Sequence, residues 1–77
     1  MSTEYIKNIT EKFNVKVTNV RNKINSWPEL TIYGSISDLH KYLTFYNGGH
    51  FDESEMDFWL KIDEDNNYYI KVDVCLD

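Results

Sequence analysis

The chain has a single cysteine, Cys75, so no disulfide can close within it. That excludes a small disulfide-stapled scaffold and suits a reducing compartment. It has a single proline, Pro28, and three glycines, which leaves no Pro-rich or Gly-rich linker and no low-complexity tract. No apolar run approaches the ~20 residues of a membrane span. The opening MSTEYIKNITEK carries no stretch suited to a secretion signal. The expected location is the cytoplasm, that of a host cell if the gene is viral, with no membrane partner. Richness in Asn, Lys, Ile and Tyr hints at an AT-rich genome, bacterial or viral. Basic residues are scarce too: eight Lys and Arg face thirteen Asp and Glu, for a net charge of −5. Such a balance opposes a polyanion, so no direct contact with nucleic acid is expected.

What is present is acidic and aromatic. At 77 residues the chain is one domain, 1–77. A chain this short buries only about 60% of its unfolded surface, so its core is small. Twelve residues are Phe, Trp or Tyr, and these must serve both core and surface. Charge is unevenly placed. Residues 1–47 hold four acids and six bases, whereas residues 48–77 hold nine acids and two bases. Seven of the nine fall between Asp52 and Asp65: Asp52, Glu53, Glu55, Asp57, Asp63, Glu64 and Asp65. A field polarised in this way steers partners.

Hydrophobic spacing predicts the order α-β-β-α-β-β. Ile6, Ile9 and Phe13 recur at helical spacing after Ser2 or Thr3, which can cap, and Asn14 can end the helix. Val15, Val17 and Val20 read as a strand. Leu30 and Ile32 alternate with Thr31 and Tyr33 in a second strand that stops at Gly34. Ser35 or Ser37 can cap the clearest helix, whose stripe is Ile36, Leu39, Leu43 and Tyr46, and Asn47-Gly48-Gly49 stops it. Between Phe51 and Leu60, helix and strand patterns compete. Asp63 to Asn67 reads as a turn, and Ile70, Val72, Val74 and Leu76 alternate as a final strand. The expected fold class is α+β, an antiparallel sheet with two helices on one face.

Several residue groups look chemical and fail on inspection. Asp63-x-Asp65-x-Asn67 matches the first calcium-ligand positions of an EF-hand loop. Tyr68 then stands where glycine is required, and Val74 where the closing glutamate belongs. His50 beside Asp52 and Glu53, and the more distant His40, have no metal-ligand spacing. Ser37, Asp38 and His40 read as a helix cap and a surface histidine rather than a triad. Glu55 and Asp57 lack an apolar pocket for acid–base work. Cys75 lies among acids that disfavour its thiolate. Lys12, Lys16, Arg21 and Lys23 make at most a small basic stripe. No enzyme activity, metal or cofactor is expected.

The acidic run differs from an ordinary solvated face because aromatics interleave it: Phe51, Phe58, Trp59, Tyr68 and Tyr69. Apolar anchors rimmed by charge are what a protein interface uses. If these segments are strands, one member of each adjacent pair faces outward. Trp59 and Tyr69 are the expected anchors, with Asp52, Glu53, Glu55, Asp57, Asp63, Glu64 and Asp65 meeting the partner's Lys and Arg. Same-face residues on a strand are roughly 7 Å apart, so such carboxylates can copy a phosphate ladder.

In size, acidity, aromatic content and lack of a catalytic motif, the chain resembles phage-encoded anti-defence proteins, including DNA mimics and anti-CRISPR proteins. The resemblance implies a small inhibitor that blocks a nuclease or another nucleic-acid-binding protein with a basic surface. An immunity protein or antitoxin against a toxin is the alternative. Leu43 to Gly49 is similar to a helix-end segment of one immunity-protein family. A self-assembling structural or adaptor protein is the third reading, in which the unlike charges of the two halves pair head to tail or in a symmetric homodimer.

Overall fold

Asn14 takes the left-handed conformation, φ +55°, and ends the first helix where its polar side chain tolerates that geometry. The computed structural model describes residues 2–76, with side chains from Glu4 onward. The proposed caps Ser2 and Thr3 therefore fall outside the described side chains. Helix α1 spans Ser2–Phe13, strand β1 Lys16–Arg21 and strand β2 Glu29–Tyr33. Helix α2 spans Ile36–Tyr46, and a short 3-10 turn, Glu53–Glu55, leads into the single helical turn α3, Met56–Trp59. Strands β3, Lys61–Ile62, and β4, Tyr68–Asp73, close the fold. The four strands form one antiparallel sheet in the order β1-β2-β4-β3. The α+β class and the element order follow the sequence pattern, with α3 added where the pattern was ambiguous.

The register explains which sheet face is buried. Val17 pairs with Ile32 and Ile32 with Ile70, while Val20 pairs with Leu30 and Leu30 with Val72. A bulge at Thr18 keeps both β1 valines in register with inner-face residues despite their odd spacing, with Val20 at the sheet edge 38% exposed. Leu30, Ile32, Leu39, Tyr42, Leu43 and Ile70 are all fully buried, and Ile9 and Val72 nearly so. Both long helices thus contribute to one core on one side of the sheet. Val74 and Leu76 lie beyond β4 yet remain buried.

Helix α2 is capped by Ser35, whose hydroxyl accepts from the Asp38 amide at 3.1 Å. Its buried stripe is Leu39, Tyr42 and Leu43, whereas Ile36 is 44% exposed. The expected stripe therefore rotates toward Tyr42, because this tyrosine has somewhere to put its hydroxyl. That group bonds the Tyr5 hydroxyl at 2.9 Å, and the ring meets Phe13 edge-on at 5.7 Å. Burial pushes the Tyr42 phenol far above the ordinary tyrosine range, with the Tyr5 contact adding to it. No helix among the described residues is long and apolar enough to cross a membrane.

Candidate functional site

The acidic run divides between two elements. Asp52 precedes the 3-10 turn, Glu53, Glu55 and Asp57 lie on that turn and α3, and all four are exposed. Acids suit the start of a helical segment, where unpaired amide groups carry partial positive charge. Asp52 occupies the cap position, but its side chain accepts no capping bond and stays free. Asp63, Glu64 and Asp65 lie in the β3–β4 turn. Among the described residues, none of these seven carboxylates has a base within 4.0 Å; the only ion pairs are Arg21–Glu29 and Lys23–Asp73.

Helical geometry overturns one expected anchor. Met56 and Trp59 are three residues apart, so both turn inward. Met56 is buried, and Trp59 packs edge-on against Tyr46 at 5.9 Å. Phe58 turns outward instead and is 86% exposed. The strand rule that placed Trp59 outside does not apply to a helical turn. The exposed aromatic amid these acids is Phe58.

Asp63 differs from its neighbours. Its Oδ1 accepts from the backbone amides of Asp65 and Asn67, each at 2.9 Å. Asn66 holds φ +65° at the tip. These amide bonds, that of Asn67 first, hold the Asp63 carboxyl below its ordinary range. The EF-hand look-alike is therefore a side-chain-locked turn. No group of three His, Cys, Asp or Glu among the described residues is placed to hold a metal.

The other pseudo-sites have ordinary settings. The His40 ring approaches the Phe51 carbonyl at 3.2 Å, bracing the loop after α2. Lys12 sits over the rings of Phe13 and Phe45, at 5.4 and 5.0 Å, away from any shared basic stripe. Arg21 and Lys23 are tied to Glu29 and Asp73. Cys75 is exposed.

Tyr69 lies on the sheet face that no helix covers. It pairs with Tyr33 across β2 and β4, and the two rings stack with centroids 5.0 Å apart and planes 29° apart. Lys16 of β1 pairs with Tyr33, and Lys61 of β3 pairs with Tyr69. One row therefore reads Lys16, Tyr33, Tyr69, Lys61 across the sheet. The next row holds Asn19, Thr31 and Lys71. The Tyr33 phenol is raised from its ordinary value, first by desolvation and then by the neighbouring Asp63 carboxylate. A shallow groove of about 870 Å³ continues from this row past Asn14, Lys16, Tyr33, Asp63, Asn66 and Asn67. The sequence pattern marked Tyr69 as outward. It did not reveal that β2 would set Tyr33 beside Tyr69, because strand order is not written in alternation. No protein-family model, no curated protein and no solved structure matches this chain.

Proposed function

We propose that the chain is a small, non-catalytic inhibitor or modulator that binds a basic protein surface, that of a nuclease or another nucleic-acid-binding protein. The observation that carries this reading is the segment from Asp52 to Phe58. Four exposed carboxylates, without an ion-pair partner among the described residues, precede within six positions an aromatic residue that is 86% exposed. An exposed apolar anchor flanked by charge can dock and orient a partner, and free carboxylates speed its encounter with Lys and Arg. Glu64 and Asp65 extend the same field from the β3–β4 turn. Asp63 contributes charge there but is also needed to shape the turn. The likeness to anti-defence inhibitors in size and acidity supports the same reading.

The test is affinity capture from a bacterial lysate with mass spectrometry. Wild type is compared with the triple variant Glu53→Gln, Glu55→Gln, Asp57→Asn and with Phe58→Ser. Capture of one nucleic-acid-processing protein by the wild type, reduced in both variants, is the expected result. Equal recovery of the same partner by all three proteins would rule out this surface as the interface.

A further inference from the structure

The uncovered sheet face carries charge of the opposite sign to the chain. Lys16, Arg21, Lys61 and Lys71 occupy outward register positions, and Lys23 reaches over to Asp73. The only acids at outward positions in the register are Glu29 and Asp73. With Asp63, which lies beside Tyr33, counted as a third acid, the face is net +2 on a chain of −5, which leaves −7 for the remainder. Glu29 and Asp73 are each paired with a base, so Lys16, Lys61 and Lys71 are the uncompensated charges of this face among the described residues. Lys61 and Lys71 come from the acidic half of the sequence, which is why net charge alone concealed them.

We propose that this face binds single-stranded nucleic acid, with the Tyr33–Tyr69 pair as a stacking platform for bases and the lysines as phosphate contacts. Charge complementarity selects an anionic occupant. The chemistry of the face selects among anions. Its outward register positions are Lys, Asn, Arg, Glu, Thr, Tyr and Asp, with no aliphatic residue and no phenylalanine. An acidic peptide would find no apolar pocket there, whereas base planes need only ring faces, which stack without sequence preference. Lys16 and Lys61 stand on opposite edge strands, about 14 Å apart across three strand spacings. That separation suits a few nucleotides crossing the tyrosine pair. Thr31, Asn19 and the groove-lining amides of Asn14, Asn66 and Asn67 supply donors and acceptors for base edges. Asp63 lines the same groove as Tyr33 and Lys16 and sets a negative charge at its β3–β4 end. A duplex offers no free base planes to the platform.

The test is fluorescence anisotropy with short labelled oligo-dT and oligo-U at about 50 mM salt, beside a matched duplex and a labelled polyglutamate peptide. Micromolar binding of a single strand, with a log–log salt slope of about −2 from three lysine contacts, is expected. The triple variant Lys16→Gln, Lys61→Gln, Lys71→Gln should bind at least tenfold more weakly. Tyr69→Leu should lose about fivefold or more with the salt slope unchanged. Circular dichroism verifies the fold of each variant. If Tyr69→Leu does not fold, the lysine triple and the peptide control still decide. The absence of any single-strand binding overturns the proposal, as does full affinity in the lysine triple or in a folded Tyr69→Leu. Equal or tighter binding of the duplex or of polyglutamate also overturns it, the latter in favour of an acidic protein partner.

Discussion

Adjacent aromatics in α3 should respond to truncation in opposite ways, and the difference separates anchoring from packing. Phe58 is 86% exposed, so about 14% of its side chain is removed from water. For a side chain of about 200 Å², that is about 30 Å², or about 0.7 kcal/mol as an upper figure. Phe58→Ser should therefore change unfolding free energy by less than about 1 kcal/mol. Trp59 packs on Tyr46 and against the core. Trp59→Ala removes that packing from a half-buried site, at a cost of about 2 kcal/mol. For a domain of this length, total stability is on the order of 4–12 kcal/mol, so the loss is large. Urea denaturation followed by far-UV circular dichroism measures both variants. Partner capture should show the reverse ranking once folded protein is compared, with Phe58→Ser the more damaging. A stability loss above about 2 kcal/mol in Phe58→Ser, or below about 1 kcal/mol in Trp59→Ala, would refute the helical assignment of inside and outside.

Two further outcomes follow from the polar contacts. Tyr5→Phe strands the buried Tyr42 hydroxyl and should cost about 1–3 kcal/mol, whereas Tyr42→Phe leaves only the half-buried Tyr5 hydroxyl to find water and should cost less. The double variant should then cost less than the two single effects added, and additivity in a denaturation cycle would contradict a shared hydrogen bond. The Asp63 carboxyl titrates lower in the folded chain than in the unfolded one, so the unfolded state binds more protons in that window. Its stabilising contribution is present above the unfolded value of about 3.9 and fades as pH falls through the lower folded value. Asp63→Asn keeps an acceptor for the turn amides and should flatten this part of the pH–stability profile; an unchanged profile would contradict it.

Much of the fold was legible because each element carries a local signal with a physical cause. Asn14 could leave the helical region, Ser35 could cap, and Gly48 and Gly49 could take the positive φ values that follow α2. The alternation through Ile70 and Val72 marked one buried face. The segment around Trp59 was illegible because Met56, Trp59 and Leu60 fit a helical turn while Phe58, Leu60 and Ile62 fit a strand. Only packing against Tyr46 decided between them. Tyr42 joined the core for a similar reason: its hydroxyl partner, Tyr5, lies 37 residues away and no local pattern announces it.

The amino-acid sequence by itself determined the class, the element order, the turn at Asp63 and the existence of a concentrated acidic run, since these depend on neighbours within a few residues. The tertiary structure alone decided which charges and rings share a surface. It sent Trp59 inward and Phe58 outward, and split the acidic run between α3 and the β3–β4 turn. It also gathered Lys16, Tyr33, Tyr69 and Lys61 from four strands into one row. Such groupings follow from strand order and register, and those are set by the burial of the opposite face.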